Sequence, residues 1–298
     1  VTILKNKWID ASGIHKQRTM EQFDGFHRKI IEATDLHDGL NCTQAAILTE
    51  YDRMGRPFRR WAASPVTALK PTSAQIKDAA VLFHGDHAPY TDTEFEQSPR
   101  EIAVGQTREG AVWHSLGKKS TKRILTNDLS SYQCPRYNVS SQGVRKAGSY
   151  DKGMLVVEET TDEDGFELRV YSDMRGLKVM ESLGSKGKWL HTRYVYDGFG
   201  QLLYILPPKL GDDELADTKK TDALAYSYSY DGKGNIVSRK LPGRKKIVYR
   251  YDTLGRLLAE QDGNTAPDWT VYLYDKFGRE VVCAASDWTE SELASFCS

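Results

Sequence analysis

The sequence predicts an all-β chain: an antiparallel meander of short hairpins, with an irregular middle region and at most one short helix. The first observation behind this is a repeat. Tyr230-Asp231-Gly232-Lys233-Gly234-Asn235, Tyr251-Asp252-Thr253-Leu254-Gly255-Arg256 and Tyr274-Asp275-Lys276-Phe277-Gly278-Arg279 spell one phrase three times. The step from Asp231 to Asp252 to Asp275 has room for two strands and two turns rather than for a helical unit. The second observation is the turn chemistry. In Asp-x-x-Gly, Asp suits the first position of a type I turn, where its carboxylate accepts from an amide two residues on, and Gly takes the left-handed conformation of a G1 bulge. The third is alternation. Tyr228 and Tyr230, Tyr249 and Tyr251, and Tyr272 and Tyr274 fall on one strand face, with Ser229, Arg250 and Leu273 on the other, which predicts a column of tyrosines along one side of a sheet.

The same reversal occurs earlier, at Asp24-Gly25-Phe26-His27, Asp52-Arg53-Met54-Gly55, Asp162-Glu163-Asp164-Gly165, Asp173-Met174-Arg175-Gly176 and Asp197-Gly198-Phe199-Gly200. His27 replaces the Gly of the first copy, and His is among the non-Gly residues enriched at positive φ. An aromatic residue precedes most of these Asp residues: Phe23, Tyr51, Tyr196, Tyr230, Tyr251 and Tyr274. Tyr171 stands two residues before its Asp and is a weaker member. Arg256 and Arg279 follow their Gly, where a long cation can pair with the turn carboxylate or stack on a tyrosine ring.

Three blocks follow in order. In residues 1–66, strands Thr19–Phe23 and Arg28–Ala33 flank the first turn, and Ile47–Tyr51 and Pro57–Ala63 flank the second. Residues 67–150 lose the repeat, with Pro65, Pro71, Pro89, Pro99 and Pro135 breaking strand-like runs. Thr72–Phe83 has helical spacing, with Ile76, Ala79, Ala80 and Phe83 on one face behind a cap at Thr72 or Ser73. Ala111–Ser115 and Lys122–Leu125 read as short strands. In residues 151–298 the meander resumes through Val156–Thr160, Phe166–Tyr171, Lys178–Ser182, Trp189–Tyr196 and Leu202–Leu206, until Pro207-Pro208 stops it. Residues 209–223, with Asp212, Asp213, Glu214, Asp217, Lys219, Lys220 and Asp222, read as a charged, solvated loop. Glu280–Ala284 is the last strand, and Ser286–Ser298 reads as a polar tail.

Composition sets bounds. The 298 residues suffice for one large β domain or two smaller ones. Sixteen tyrosines in a chain only 39% hydrophobic suit sheets with amphipathic faces. Forty-one basic residues balance 41 acidic ones, so net charge recommends neither nucleic acid nor an anionic membrane. No apolar run is long enough for a membrane span, and Val1 begins no signal peptide, which implies a removed export signal or a fragment. Cys42, Cys134, Cys283 and Cys297 are widely spaced and read as unpaired thiols; a Cys283–Cys297 disulfide is the alternative for an exported chain.

Candidate chemistry is sparse. His84 and His87 with Asp86 between them lack a third spaced ligand, so the segment reads as a polar loop rather than a metal site. Each turn Asp is occupied by its own backbone bonds, and no Asp-x-Asp-x-Asp-Gly loop supports calcium. Asp162, Glu163 and Asp164 resemble a glycosidase carboxylate pair only in composition. No nucleophile elbow, zinc helix, phosphate loop or dinucleotide fingerprint occurs. The expected inventory is no catalytic, cofactor-binding or metal-binding residue.

On these residues the sequence resembles the YD-repeat, or rearrangement-hotspot (Rhs), family of large bacterial surface and secreted proteins, whose repeats read Tyr-Asp-x-x-Gly-Arg followed by a strand. Tyr51–Arg56, Tyr196–Gln201, Tyr230–Asn235, Tyr251–Arg256 and Tyr274–Arg279 carry the match, which covers 151–298 and 19–63. The run His84–Pro99, with Gly110–Trp113 and Thr126-Asn127, is similar to a non-repeat region in the amino-terminal part of some very long members. The resemblance implies hairpins wound into a curved, spiralling sheet that can close as a hollow shell. In toxin-bearing members that shell encloses a carboxy-terminal polypeptide released by self-cleavage at a late core motif. Neither that motif nor a toxin tail is found here. The expected object is therefore non-enzymatic shell material from an exported protein, secreted or at the cell surface. Its partners would be other segments of the same polypeptide: further repeats and a carboxy-terminal toxin. The rival expectation is an adhesin stacking surface glycans on Tyr and Trp rings, with Trp189, Trp269 and Trp288 as the diagnostic side chains.

Overall fold

Alternating side chains and Asp-x-x-Gly reversals produce antiparallel strands throughout the computed structural model, which describes residues 1–8, 16–37, 42–141, 143–185, 187–263 and 266–297. The chain divides into two units, Val1–Arg123 with Thr160–Phe166, and Ile124–Glu159 with Glu167–Ser298.

In the first unit, β1 (Thr2–Trp8), β2 (Lys16–Phe23), β3 (Lys29–His37) and β4 (Cys42–Tyr51) pair in sequence. β4 continues into pairs with both β5 (Pro57–Trp61) and β6 (Ser64–Val66). Met20, Ala33, Ala46 and Ser64 stand opposite one another across β2, β3, β4 and β6. Their small neighbours leave room for α1 (Ser73–His84), which lays the fully buried Ile76 and Ala80 on this sheet. Thr72 caps the helix, its Oγ1 accepting from the Gln75 amide while Gln75 Oε1 accepts from the Thr72 amide, a reciprocal capping box. Phe83, expected on the buried face, is exposed: burial ends at Ala80, and the last turn extends past what covers it. β5 then pairs with β7 (Tyr90–Phe95), β7 with β8 (Ala103–Thr107), and β8 with β9 (Ser120–Thr126). Between β8 and β9, Ala111–Ser115 is a short helix, α2, not the expected strand. Gly110 enters it at φ 118° and the Asp86 carboxylate accepts from the Ala111 amide, satisfying a helix-end donor that a strand would have sent to a neighbour.

In the second unit, β10 (Pro135–Ser140) and β11 (Gly143–Ser149) form a separate hairpin, and β12 (Val156–Thr161) follows. A continuous meander then runs through β13 (Glu167–Ser172), β14 (Lys178–Ser185), β15 (Lys188–Tyr196), β16 (Leu202–Leu206), β17 (Tyr226–Tyr230), β18 (Ile236–Lys240), β19 (Ile247–Tyr251), β20 (Leu257–Gln261), β21 (Trp269–Tyr274) and β22 (Glu280–Ser286). Each of these strands is antiparallel to the next.

Register divides this sheet into two faces. Met180, Arg193 and Leu206 share one, continued by Ser238, Val248, Ala259 and Val271. This face is the buried one. Residues 209–223 help to cover it, because they form a 3-10 turn (Asp212–Ala216) and α3 (Thr218–Leu224) rather than a solvated loop. Leu210 and Leu215 from this insertion, with Ala225 just after it, pack on Val195 and Leu206, and the Asp217 side chain caps α3 by accepting from the Lys219 and Lys220 amides. The expected polar tail likewise holds α4 (Glu290–Cys297), whose buried Leu293 packs on Ala259, Trp269 and Val271. The described residues thus contain three helices beyond the one expected, each short and each inside an all-β frame.

Candidate functional site: the turns, the tyrosine staples and the open face

Eight Asp-x-x-Gly-type reversals share one geometry. At Asp24, Asp52, Asp162, Asp173, Asp197, Asp231, Asp252 and Asp275, Oδ1 accepts from the amides two and four residues on, all at 2.8–3.0 Å. The last residue of the quartet has positive φ, 78° to 91° for the glycines of these turns and 61° for His27. At Asp24, Asp52, Asp173, Asp197, Asp231, Asp252 and Asp275 the pairing register shifts at the residue before the Asp, which is the bulge expected of a type I turn with a left-handed fourth residue. One carboxylate therefore organises each reversal. Backbone donation from the residue four on, reinforced by its guanidinium, holds the Asp24, Asp52 and Asp275 carboxyls below their ordinary range. The Asn235 side chain does the same for Asp231. At Asp252, burial pushes the carboxyl up, but the Arg256 amide and guanidinium outweigh it.

The tyrosine before the Asp has a second task, which sequence spacing did not disclose. Tyr51, Tyr196, Tyr230, Tyr251 and Tyr274 donate through their hydroxyls to the carbonyls of Lys29, Lys178, Leu202, Ile236 and Leu257, at 2.9–3.0 Å. In every case the acceptor lies five residues beyond the Asp of the preceding turn. Each repeat is thereby stapled to the one before it. The arginine completes the link: Arg28, Arg56 and Arg256 bind their own turn Asp through Nε at 2.7–2.8 Å. Their guanidiniums then lie over the rings of Tyr51, Phe95 and Tyr274 in the next hairpin. Both roles foreseen for this cation are filled at once.

Phe95 reveals a reversal that the sequence reading missed. Glu96 takes the Asp position, its amide bonded to the Ile102 carbonyl, and Arg100 pairs with its carboxylate at 3.1 Å. Glu101 replaces Gly at φ 54°. The signal was present as aromatic-acid followed four residues later by Arg, hidden by a loop longer than the standard turn. Arg56 Nη1 donates to the Glu96 carbonyl at 2.7 Å, so this variant joins the same linkage.

In the second unit the turns at Asp173, Asp197, Asp231, Asp252 and Asp275 close β13–β14, β15–β16, β17–β18, β19–β20 and β21–β22, and so all lie at one edge of the sheet. The Asp162 turn opens β13 and lies at that strand's other end. The sheet face opposite the buried one carries Tyr194, Tyr226, Tyr228, Tyr249 and Tyr272, the column expected from alternation. Most of these rings are half-exposed, while Tyr249 is buried. Arg239 lies over the Tyr249 ring, and Tyr272 donates to Glu260 at 3.1 Å. Burial, together with that acceptor, pushes the Tyr272 phenol up to about 12.

The residues weighed for chemistry are engaged in structure. His84 Nε2 donates to the Ala63 carbonyl at 3.2 Å, and Asp86 accepts from the Ala88 and Ala111 amides; His87 is exposed. Among the described residues no cluster of three His, Cys, Asp or Glu side chains could hold a metal. Asp162 serves its turn, Glu163 pairs with Arg108 at 2.6 Å and Asp164 with Lys118 at 3.0 Å. Trp269 is buried, Trp189 and Trp288 are half-buried, and the Arg169 guanidinium lies 4.0 Å above the Trp189 ring. Cys134 and Cys283 are free thiols, and the side chains of Cys42 and Cys297 lie outside the described residues. Burial raises the Cys134 thiol to about 12.

Comparison with known proteins agrees with this geometry. Residues 230–267, which hold two of the stapled turns, match the RHS Repeat family. The chain carries YD (RHS) repeats. Residues 4–126 of this YD-repeat chain match a domain of unknown function, DUF6443. No curated protein matches it. Among solved structures, the TcdB2–TccC3–TEV and TcdB2–TccC3 crystal structures are similar over 98% of this chain, at 17% and 16% identity and a TM-score of 0.61 for both. The Photorhabdus luminescens Tc holotoxin pore is similar over 91%, at 15% identity and a TM-score of 0.59. These likenesses show a common fold. The YD-repeat chain spans only 12% to 14% of the length of those chains. Among its described residues no helix is long and apolar enough to cross a membrane.

Proposed function

We propose that this chain is a non-enzymatic scaffold, a shell segment of an exported bacterial YD-repeat protein that encloses or displays another part of its own polypeptide. The observation that carries this reading is the staple. Five tyrosine hydroxyls tie hairpin to hairpin at a fixed offset, a device that propagates a sheet and aims no reactive group at a substrate. The division into a buried face and an open tyrosine face gives such a sheet two surfaces of different character. The fold shared with TcdB2–TccC3 complexes supports a setting within a longer toxin-associated polypeptide. The rings wanted by the adhesin reading are engaged within the fold, Trp269 by burial and Trp189 by Arg169, so the scaffold is preferred.

Limited proteolysis of the full-length polypeptide tests the proposal. The segment carried with the shell should resist cleavage under native conditions and become sensitive once the sheet is unfolded by denaturant. A carried segment cut equally fast in both states would overturn it. Saturable binding of a glycan panel, abolished by substituting Tyr226 and Tyr228, would favour the adhesin instead.

A further inference from the structure

In the second unit, the hairpin β10–β11, the strands β14 and β15 and the 3-10 turn border an open cavity of about 260 Å³. Met180 and Arg193, from the buried face of the sheet, line it, and one carboxylate, Asp212, stands there against two cations, Arg193 and Lys146. Both oxygens of that carboxylate are taken. Oδ1 accepts from the Tyr137 hydroxyl at 2.6 Å and from Arg193 Nη1 at 2.8 Å, and Oδ2 accepts from Lys146 at 2.8 Å. One positive charge is left over. Arg193 Nη2 donates to the Pro207 and Leu210 carbonyls, so three acceptors fix the guanidinium. Its Nε–H is buried without an acceptor, on a side chain only 8% exposed. An unpartnered buried donor of this kind is rare in a folded chain and asks for a reason. The rim is uncommitted too. His191 shares Nδ1 with Ser182 Oγ at 2.8 Å, and among the described residues nothing bonds His191 Nε2, the Ser149 hydroxyl or the Gln133 amide.

We propose that this cavity binds a small monocarboxylate carrying hydroxyl groups, the class to which the sugar acids belong. Its carboxylate balances the surplus charge and gives Arg193 Nε the acceptor it lacks. Its hydroxyls meet Gln133, Ser149 and His191 at the rim, while its C–H face lies on Met180. Charge and size select this occupant. A metal cation would add to the surplus, and a neutral sugar would leave it unbalanced. A phosphate dianion would exceed it, and the two terminal nitrogens of Arg193 that would grip phosphate bidentately are already bonded. The volume falls below the roughly 300 Å³ at which pockets for drug-sized molecules begin, which suits one sugar-sized ring. The site is independent of the tyrosine face and of whether the sheet encloses another segment.

Isothermal titration of the 298-residue chain with glucuronate, glucose and inorganic phosphate tests the assignment. Glucuronate should bind at one site per chain, about tenfold or more tightly than glucose or phosphate, and should shift the His191 ring signals in the proton NMR spectrum. Lys146→Gln, at an exposed position, should weaken glucuronate about fivefold. Ser149→Phe, also at an exposed position, narrows the mouth and should abolish binding while the chain melts at the parent's temperature. Glucose or phosphate bound as tightly as glucuronate would overturn the proposal, as would no glucuronate binding or undiminished binding by the Ser149→Phe chain. Glucuronate binding that leaves the His191 signals of the parent unmoved would overturn it whatever the stability of the variants.

Discussion

A single carboxylate oxygen that accepts two amides is the smallest unit of this architecture, and its consequences can be measured. Because Asp24, Asp52, Asp231, Asp252 and Asp275 are held below their usual range in the folded chain, they bind protons less readily folded than unfolded. Their contribution is complete above the ordinary aspartate value of 3.8 and is lost as pH falls below it through the folded values. Urea melts should accordingly be flat from neutral pH to about pH 5 and shift to lower midpoints below about pH 4. In an Asp52→Asn variant the acid dependence should be shallower than in the parent; an identical dependence would remove the turn carboxylates as its cause. The glycine of the turn gives a second measure. Gly255 has φ 78° and open space where a Cβ would stand, so Gly255→Val strains the backbone without a clash and should cost roughly 1–3 kcal/mol. Gly198→Ala, at ordinary φ and equally open, should be near neutral. The staple gives a third. Tyr251→Phe deprives the Ile236 carbonyl of its donor and should cost about 1 kcal/mol. Tyr228→Phe, on the same strand face without a staple, should change stability by less than about 0.5 kcal/mol.

At the scale of elements, the hairpins were legible because their information is local. Asp, Gly and the preceding aromatic ring specify a reversal whatever surrounds it, and even His27 in a glycine position was readable. What escaped was whatever depends on a partner far along the chain. Ala111–Ser115 looks like a strand until Asp86 supplies the amide acceptor that starts a helix there. Residues 209–223 look solvated because their charges are dense, yet Leu210 and Leu215 are buried, and Asp212 binds Arg193 at 2.8 Å and Lys146 at 2.8 Å. In the last dozen residues the decisive side chain is Leu293, in a stretch where acids and serines set a polar impression. It is fully buried against Ala259, Trp269 and Val271, and Glu290 of the same helix pairs with Arg250 on β19 at 2.7 Å. Leu293→Ala should therefore cost about 2–4 kcal/mol by denaturant unfolding. A change below about 0.5 kcal/mol, the ordinary surface value, would restore the polar-tail reading. The staple itself could not be read from one repeat, since a tyrosine before a turn has no visible target until two hairpins are placed side by side.

At the scale of the whole molecule the question is how the sheet is continued. β22 pairs with β21 on one side, and its residues from Glu280 to Ala285 are exposed. Half the amides of such an edge face outward, and an edge of this kind invites another strand. The helix that follows it is no barrier to extension. β16 is followed by a 3-10 turn and α3, and β17 nevertheless pairs directly with β16, while the helical insertion lies on the buried face and packs on Val195 and Leu206. α4 occupies the corresponding position after β22, packed on the same face through Leu293. The next hairpin would then be stapled by its tyrosine to the Glu280 carbonyl, five residues beyond Asp275 as set by the offset in the earlier repeats. Hydrogen exchange separates the two states of this edge. In the 298-residue chain, outward amides among Val281, Val282 and Cys283 should exchange far faster than those of Val248 and Tyr249 in the sheet interior. In a longer chain carrying one more repeat they should slow to the interior rate. If they are already as slow as Val248 and Tyr249 without that addition, the edge is satisfied within these residues, and growth of the sheet by strand pairing at β22 is excluded.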